Sequence, residues 1–239
     1  KKFILNNKVL LIGGAGYIGS VLMDHLLLRG FNVKCLDALI YSKQHNIKPY
    51  QKKKNFEFIH GDIRNDALAE NSLKNVKDVV ILAGLVGDPI TKRYPKESKE
   101  INYIALKNFI NKCKGKNLDK LIFISTCSNY GLINDEDKAD ENYVLNPLSD
   151  YAKHKVEIEK YILSLKGQID YSPIILRFAT AFGLSPRMRF DLTVNHFTKE
   201  AINKKPLNIY DAHTWRPYCH VNDFARLIKI VLLEKKEKT

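Results

Sequence analysis

The stretch Val9-Leu10-Leu11-Ile12-Gly13-Gly14-Ala15-Gly16-Tyr17-Ile18-Gly19 decides the fold of this 239-residue chain. The apolar run before Gly13 predicts a buried strand, the three glycines predict a tight turn, and the apolar pattern that follows predicts a helix. Gly13 permits the turn, Gly16 lets a pyrophosphate approach the backbone, and Gly19 lets the helix pack closely on its strand. The stretch therefore predicts a dinucleotide-binding unit. Its glycine spacing differs from the usual G-x-G-x-x-G, so this prediction needs support from motifs further along the chain.

The composition is that of a soluble globular protein, with 45% hydrophobic and 27% charged residues. No apolar run reaches the roughly 18 residues that a membrane span requires, so we expect no membrane partner. The first eight residues are too polar for a secretory signal, and the four cysteines have no metal-ligand spacing. The histidines 196, 213 and 220 have none either. We therefore expect a cytoplasmic protein with reduced thiols and no metal.

The net charge of +13 raises the question of an anionic partner. Nucleic-acid binding is one interpretation, but the basic residues are scattered, and their tightest run is only Lys52-Lys53-Lys54. No interleaving of aromatic and basic residues indicates a platform for single strands. A lysine-rich surface that attracts a small polyanionic substrate is the favoured interpretation, so no nucleic-acid partner is expected.

Two acidic residues follow predicted strands and are candidates for holding an adenosine. Asp37 ends the alternating apolar run that starts at Phe31, where a carboxylate accepts hydrogen bonds from a ribose and repels a 2′-phosphate. This position favours NAD over NADP, and the alternative is an ordinary turn aspartate. Asp62 follows the strand at 56–60 and is placed to bond an adenine amino group, with Ile63 against the ring. Its alternative role is to cap the next helix.

Strands and helices alternate along the first three quarters of the chain. Further apolar strands are predicted near 78–84, 118–125 and 169–178, and helices near 97–114 and 150–165. The small residues that end the strand at 78–84 leave room for a cofactor. This alternation predicts an α/β fold, a Rossmann-type doubly wound parallel sheet with a small C-terminal substrate lobe.

The pattern changes after residue 178. A basic loop at 182–190 is followed by a helix at about 191–203, a short strand at 207–210 and a last helix capped by Asn222-Asp223. We therefore divide the chain into an NAD-binding Rossmann domain with the catalytic residues, 1–178, and a substrate-binding lobe, 179–239.

Thr126, Tyr151 and Lys155 are the candidate catalytic residues. A tyrosine is a poor base because its reference pKa is about 10, but a lysine ammonium one helical turn away stabilises the phenolate. A threonine hydroxyl at a strand end can hold the same substrate oxygen. Such a set removes a proton from a sugar hydroxyl while a hydride leaves the same carbon for a nicotinamide. The alternative for Tyr151 and Lys155 is a surface pair on a helix.

Together these motifs resemble the extended short-chain dehydrogenase/reductases, specifically the NAD-dependent epimerase/dehydratase family that acts on nucleotide sugars. The resemblance rests on the glycine turn, Asp37, Gly61-Asp62-Ile63, Leu82-Ala83-Gly84, Asn102, the run at 125–131, the Tyr-Lys pair, Arg177-Phe178 and the run at 216–223. It implies bound NAD, a nucleotide-diphosphate sugar as substrate and a homodimer. Since relatives usually continue past the last helix, it also implies an incomplete substrate lobe.

The resemblance and the motifs give a set of site residues. Those expected at the cofactor are Gly13, Gly16, Tyr17, Ile18, Gly19, Asp37, Asp62, Ile63, Leu82, Ala83, Gly84, Asn102, Tyr151 and Lys155, with Lys155 also holding the nicotinamide ribose. Those expected at the substrate are Cys127, Ser128, Arg187, Arg189, Asp191 and Arg216. Arg216 matches the family arginine that binds the diphosphate, and a loop with Arg187 and Arg189 facing it would complete a clamp. The alternative is that both loop arginines are solvated or ion-paired.

The resemblance implies a reaction of the epimerase type, the commoner outcome in this family, which begins by oxidising a sugar hydroxyl, at C4. Cys127 and Ser128 stand where the related 4,6-dehydratases carry an acid pair, which argues against elimination. The runs at 82–89 and 177–195 resemble the C4 dehydrogenases of GDP-heptose from capsule polysaccharide pathways, so release of the keto sugar is the alternative outcome. A non-enzymatic NAD sensor with the same fold is a further alternative, which the Thr126, Tyr151 and Lys155 set opposes.

Overall fold

The computed structural model of the chain describes residues 8–41, 46–133, 137–210 and 212–234. The polar N-terminal residues, the acidic positions 134–136 and the predicted end of the lobe at 235–239 lie outside these ranges. Within them, no helix is long and apolar enough to cross a bilayer.

Six parallel strands form one sheet. They are β1 (Lys8–Ile12), β2 (Asn32–Asp37), β3 (Phe56–His60), β4 (Asp78–Ile81), β5 (Lys120–Thr126) and β6 (Ser172–Phe178), in the spatial order β3-β2-β1-β4-β5-β6. The order reverses between β1 and β4, whose residues Ile12 and Ile81 are register partners. This is the strand order of the Rossmann fold, and the crevice at the reversal point is where such sheets bind ligands. The predicted doubly wound parallel sheet is confirmed.

Helices cover both faces of the sheet. They are α1 (Tyr17–Leu28), α2 (Asp66–Ser72), α3 (Asp88–Arg93), α4 (Pro95–Lys99), α5 (Leu106–Lys112), α6 (Asp150–Ser164), α7 (Thr193–Ile202) and α8 (Val221–Leu233). A π-helical segment, Glu100–Ala105, joins α4 to α5, and a 3₁₀ turn, Cys127–Tyr130, follows β5. The predicted helix over 97–114 is thus one helical run with a π-helical middle.

The apolar residues of β1 divide between two cores. Val9 and Leu11 face α1 and α8, whereas Leu10 and Ile12 face α2, α5 and α6. All four side chains are almost completely buried. A strand covered on both faces must be apolar at every position, which is why this segment reads as a continuous apolar run.

Two predictions about the C-terminal part are wrong. The strand expected at 207–210 is irregular and exposed, with the side chain of Ile209 at 64% exposure and no partner strand among the described residues. The cap of α8 is His220, whose side chain accepts the N–H of Asn222 at 3.2 Å, rather than Asn222 or Asp223. A short parallel pair, β7 (Thr180–Phe182) and β8 (Tyr218–His220), was not predicted from the sequence. Three-residue strands carry too little periodicity to be recognised.

The last helix packs into the main core. Phe224, Ile228 and Leu232 of α8 lie in the same cluster as α1, and the ring of Phe224 stacks on Phe178 at 4.0 Å. The division of the chain at residue 178 therefore stays a prediction, since α8 shares the core of the sheet.

The turn after β1 depends on a glycine at position 13. Gly13 has φ +80°, and a β carbon there would lie 2.7 Å from the backbone nitrogen and Cα of Ala83, at the end of β4. Because a backbone cannot give way as a flexible side chain can, no other residue fits at this position.

We expect Gly13→Ala to destabilise the protein by about 2 kcal/mol more than Gly115→Ala, because overpacking costs about 1–3 kcal/mol. Gly115 is the matched control: its φ is +68°, but a β carbon there meets nothing within 4 Å. Free energies of unfolding from urea titration measure the difference. Equal losses in the two variants would show that the left-handed backbone conformation, and not the contact with Ala83, requires the glycine.

Candidate active site

A cleft of about 860 Å³ opens at the carboxyl ends of the central strands. It is lined by the turn after β1, the ends of β2, β4 and β5, the start of α6 and the loop after β7. The predicted site residues that line it are Gly13, Gly16, Tyr17, Ile18, Gly19, Asp37, Asp62, Ile63, Leu82, Ala83, Gly84, Thr126, Ser128, Tyr151, Lys155, Arg187, Arg189, Asp191 and Arg216. Asn102 and Cys127 do not line it.

The glycine turn and the start of α1 form one wall of the cleft. Gly16 is the N-cap residue of α1 and has no side chain to bond the free N–H groups of the first turn. A β carbon on Gly16 would meet only the carbonyl oxygen of Gly13, at 3.3 Å, so a ligand can approach this backbone closely. Free N–H groups and an open backbone at the positive end of a helix fit the pyrophosphate of NAD.

Asp37 lies at the end of β2 and bonds the turn itself. Its Oδ2 accepts the N–H of Ala15 at 2.9 Å and its Oδ1 accepts the N–H of Leu39 at 2.8 Å. Burial raises the pKa of this carboxyl, and the two N–H donors oppose that shift. Each carboxylate oxygen keeps a lone pair for a ribose hydroxyl. The geometry shows the turn role and is compatible with the ribose role, which stays a prediction.

Asp62 forms a fork with Arg64 rather than capping the next helix. The guanidinium donates to Asp62 at 3.0 Å and 2.7 Å and holds the pKa of the carboxyl below its usual range. The cap of α2 is Asn65, whose Oδ1 accepts the N–H of Leu68 at 3.0 Å. An adenine contact by Asp62 stays a prediction, in which the carboxylate would be shared with Arg64.

Asn102 lies behind the cleft wall, not in it. It is fully buried in the π-helical segment, where its amide exchanges hydrogen bonds of 2.8 Å and 2.9 Å with the backbone of Leu85 and donates to Ser98. It thereby holds the loop after β4, whose residues Gly84 and Leu85 do line the cleft. The sequence predicted a direct contact between Asn102 and the cofactor, but Asn102 does not line the cleft. Asn102 instead shapes the loop that a cofactor would touch.

Thr126, Tyr151 and Lys155 converge on the cleft from the end of β5 and from α6. The N-cap of α6 is Ser149, as predicted, and it accepts the N–H of Ala152 at 3.3 Å. Spacing of four residues places the tyrosine and the lysine on the same face of this helix. Thr126 Oγ1 accepts the N–H of Ser128 at 3.1 Å, and the same hydroxyl is hydrogen-bonded to the Cys127 thiol.

The Lys155 side chain is almost completely buried. Its Nζ donates to the carbonyl of Ile124 at 2.7 Å and lies 4.5 Å from the ring centroid of Phe123 and 5.8 Å from that of Tyr151. Burial lowers the pKa of Lys155 to about 8, while the charge of Glu159 opposes the shift. The ammonium group therefore lies on the same face of α6 as the Tyr151 ring. It loses its proton at a lower pH than the ammonium of a surface lysine does.

Arg216 and Ser128 line the cleft beside the end of β5. The guanidinium of Arg216 donates to Ser128 Oγ at 2.8 Å and to Thr180 Oγ1 at 3.1 Å. Cys127, by contrast, does not line the cleft, and burial raises the pKa of its thiol. A substrate contact by Cys127 is therefore not supported by the geometry.

The two arginines of the loop after β7 lie in different surroundings. Arg189 is ion-paired with Asp191, one of the alternatives left open by the sequence. The guanidinium of Arg187 lies 5.0 Å from the ring centroid of Tyr41 and acts electrostatically on Asp37. The structure thus brings Arg187 to the Asp37 end of the cleft, and no contact with Arg216 is seen among the described residues.

Tyr17 joins the glycine turn to the C-terminal segment. Its hydroxyl donates to the carbonyl of Gly183 at 2.6 Å and accepts from Asn195 at 3.1 Å, while Ser185 Oγ donates to its backbone carbonyl at 2.7 Å. Asn195 was missed in the sequence, since nothing near it in the chain marks a buried amide. A cofactor contact by Tyr17 stays a prediction, because its hydroxyl serves to anchor the loop.

Sequence reasoning also missed Glu159, which lies beneath the cleft. This buried carboxylate is ion-paired with Arg177 on β6. The signal that could have found it is its position on α6, one helical turn after Lys155 and on the same face.

The strand order, the glycine turn and the Tyr-Lys pair define the class of the protein: a Rossmann-fold enzyme of the dehydrogenase/reductase type. The family model described as "NAD dependent epimerase/dehydratase family" matches residues 9–239. The chain belongs to this family, and it is an NAD-dependent enzyme of the nucleotide-sugar epimerase or dehydratase type.

Relatives in this family include both reaction types. The chain is 32% identical to the uncharacterized UDP-glucose epimerase YtcB of Bacillus subtilis, over 94% of this chain and 72% of that protein. It is 30% identical to the dTDP-D-glucose 4,6-dehydratase of Dictyostelium discoideum, over 94% of this chain and 55% of that protein.

Among solved structures, the UDP-glucuronic acid 4-epimerase of Bacillus cereus, in complex with UDP-glucuronic acid and NAD, superposes with a TM-score of 0.86. It is 29% identical to this chain, and the match covers 96% of this chain and 74% of that one. This similarity supports the Rossmann-type fold and the nucleotide-sugar class of the enzyme.

The lowered pKa of Lys155 predicts a pH dependence of stability. Between about pH 8 and pH 10.5 the folded chain has released a proton that the unfolded chain still holds, so stability rises with pH in this window. Relative to Lys155→Met, the wild-type free energy of unfolding should therefore rise by about 3 kcal/mol across the window. Urea titrations at a series of pH values measure the difference.

The control is Lys160→Met, which removes an exposed lysine from the same helix. It should leave the difference from wild type independent of pH. A flat difference for Lys155→Met as well would contradict the lowered pKa.

Proposed function

We propose that this enzyme is a nucleotide-sugar epimerase that oxidises a hydroxyl of the sugar, at C4, and reduces the resulting ketone on its opposite face. The observation that carries the proposal is the convergence of Thr126, Tyr151 and Lys155 on one cleft. The same cleft has a dinucleotide-binding turn on one wall and Arg216 on its border. Bound NAD supplies the hydride acceptor and donor for this chemistry.

Tyr151 is the proposed base that takes the proton of the sugar hydroxyl. Lys155, buried against the same helix face, stabilises the phenolate that such a base requires. Thr126 donates its O–H to the same substrate oxygen and orients it. Proton transfer by a positioned side chain contributes about 10²–10⁴-fold in rate, so the tyrosine is the group with the largest expected effect.

Two arginines are proposed to hold the two ligands at opposite ends of the cleft. Arg216, beside Ser128, is proposed to bind the diphosphate of the nucleotide sugar, because a guanidinium fork matches phosphate oxygens. Arg187, beside Tyr41 and Asp37, is proposed to contact the adenosine side of NAD. This assignment replaces the expectation that Arg187 clamps the substrate diphosphate.

The substrate is proposed to be a UDP-sugar or another nucleoside-diphosphate hexose. Support comes from the names of the relatives, which include a UDP-glucose epimerase and a UDP-glucuronic acid 4-epimerase. Elimination is disfavoured because the acids that line the described part of the cleft are Asp37, Asp62 and Asp191. The first lies at the ribose end, and the other two are paired with arginines. A 4,6-dehydratase would need an acid beside Thr126, where Cys127 and Ser128 stand.

A homodimer and a cytoplasmic location are part of the same proposal. The resemblance to the family supports a dimer formed by the helices that carry Asn102 and Tyr151. Exposed apolar side chains, Ile104 at 44% and Leu163 at 61%, lie on these helical segments.

Turnover of a panel of UDP-, dTDP- and GDP-sugars tests the reaction. We expect the 4-epimer to form without net accumulation of reduced nicotinamide, and Tyr151→Phe to lower the rate at least about 100-fold while NAD still binds. Tyr161→Phe, on the same helix but outside the cleft, is the matched control and should keep its rate. Stoichiometric reduced nicotinamide with a free keto sugar would identify the dehydrogenase instead, and a 4-keto-6-deoxy product the dehydratase. Undiminished turnover by Tyr151→Phe would refute the role of the tyrosine.

The separate roles of the arginines give a second prediction. Arg187→Met should weaken NAD binding about 10-fold or more with little change in KM for the sugar, because a charged hydrogen bond contributes about 1.5–3 kcal/mol. Arg216→Met should do the reverse. Calorimetric titration of NAD and steady-state kinetics measure the two effects, with Arg226→Met on α8 as the control outside the cleft. If Arg187→Met raises the KM for the nucleotide sugar without weakening NAD binding, Arg187 binds the substrate and not the cofactor.

A further inference from the structure

The buried carboxylate of Glu159 has no role in the chemistry described above. Glu159 lies on α6, one helical turn after Lys155 and two after Tyr151, with 1% of its surface exposed. It does not line the cleft, so it cannot act on a substrate directly. A carboxylate in such a place is costly unless it is fully paired and hydrogen-bonded, and its partners therefore show what it organises.

Two hydrogen-bond partners of Glu159 lie just before and just after the segment 126–128, which follows β5 and contributes to the cleft. Ser125 Oγ donates to its carboxylate, and Asn129 Nδ2 donates to Oε1 at 2.7 Å. Asn129 also donates to Ser125 Oγ at 3.0 Å, which closes a triangle of polar groups. Between Ser125 and Asn129 lie the residues at 126–128, which include the two hydroxyls that enter the cleft. The carboxylate thus holds both ends of the segment that presents Thr126 and Ser128.

Arg177 extends this connection to the neighbouring strand and loop. Its guanidinium donates to Glu159 at 3.1 Å from Nε and 2.7 Å from Nη2, and its Nη1 donates to Tyr130 Oη at 3.1 Å and to the carbonyl of Glu141 at 3.2 Å. Arg177 is also the register partner of Ser125 in the sheet. The ion pair therefore joins β5, the 3₁₀ turn, α6, β6 and the loop beside the cleft.

The same carboxylate also acts on Lys155, which lies on its own helix. Glu159 is the charged group that opposes the lowering of the Lys155 pKa by burial. A carboxylate that binds the strand end carrying Thr126 and lies one turn from Lys155 couples the two halves of the catalytic set.

We propose that Glu159, through its ion pair with Arg177, is a positioning residue that sets Thr126 and Ser128 in register with Tyr151. The expected effect on kcat rests on the proposed function, whereas the expected effect on the structure of the segment 125–131 does not. A displacement of about 1 Å in a catalytic group can cost about 10²-fold in rate. The contrasting interpretation is an ion pair that only stabilises the fold.

Glu159→Gln in the full chain tests the structural consequence without any need for turnover. The amide of Ser128 is bonded to Thr126 Oγ1, so loss of the charge should make hydrogen exchange in the segment 125–131 at least about 10-fold faster. Exchange in β1 should accelerate only by the smaller factor that the lower free energy of unfolding of the variant accounts for. Glu157→Gln, an exposed position on the same helix, is the matched control and should leave both segments unchanged. Equal acceleration in β1 and in 125–131, or none in either, would overturn the proposal.

Kinetics test the catalytic consequence. For Glu159→Gln we expect kcat to fall about 10–100-fold, with KM for the nucleotide sugar and the NAD affinity within about 3-fold of wild type. If the wild-type chain turns over none of the panel, the proposed function fails, and the exchange experiment still decides the positioning role. Local loosening of 125–131 together with wild-type kcat would refute that role.

A double variant separates stability from positioning. Replacing a buried ion pair with apolar residues is often neutral or stabilising, whereas removing one partner is costly. Glu159→Leu with Arg177→Met should therefore recover unfolding stability relative to either single change, yet keep the reduced kcat, because Ser125 and Asn129 still lack their acceptor. A double variant with wild-type kcat would show that the ion pair serves only the fold.

Discussion

The close approach of the Gly13 backbone to Ala83 is the constraint on which the rest of the structure depends. It brings the turn after β1 against the end of β4, at the point where the strand order reverses. The cleft at this point is lined by Gly13, Ala83 and Gly84, which carry small side chains or none. The free N–H groups of α1 then point into that crevice, and Asp37 reaches the same turn from β2. A steric requirement at one residue thus determines where a dinucleotide can bind.

The part of the cleft near Thr126 and Tyr151 is organised by buried charged side chains, whereas the part near Gly13 is organised by a close backbone contact. Lys155 is buried with a carbonyl and aromatic rings around it, and Glu159 is buried with Arg177. Burial of such groups is costly unless their partners are in place, and the hydrogen bonds of Lys155 and Glu159 join α6 to the end of β5. This connection suits the proposed chemistry, which requires Thr126 and Tyr151 to meet one substrate oxygen. The cofactor half and the catalytic half of the cleft are therefore built on different physical principles.

The segment after β6 joins these two halves. Gly183 and Ser185 are bonded to Tyr17 at the start of α1, while Arg216 bonds Ser128 beside the catalytic strand. A single stretch of chain thus contacts both the start of α1 and the segment that follows β5. Arg187, near Tyr41, and Arg216, bonded to Ser128, both belong to this stretch and lie in different parts of the cleft. The last helix of the chain, α8, packs in the main core instead of forming a unit of its own.

Features that neighbours in the chain encode could be predicted from the sequence: the apolar strands, the glycine turn, the Ser149 cap and the helical spacing of the Tyr-Lys pair. Hydrogen bonds between distant groups became visible only in the folded chain. Asn102 bonds a loop 17 residues away, Glu159 bonds a strand 34 residues away, and Arg187 lies against Tyr41. The physical reason is that a buried polar group must find a partner wherever packing brings one. Hydrophobic periodicity in the sequence indicates which face of a helix or strand is buried. It does not indicate which residue packs against that face or bonds its polar groups.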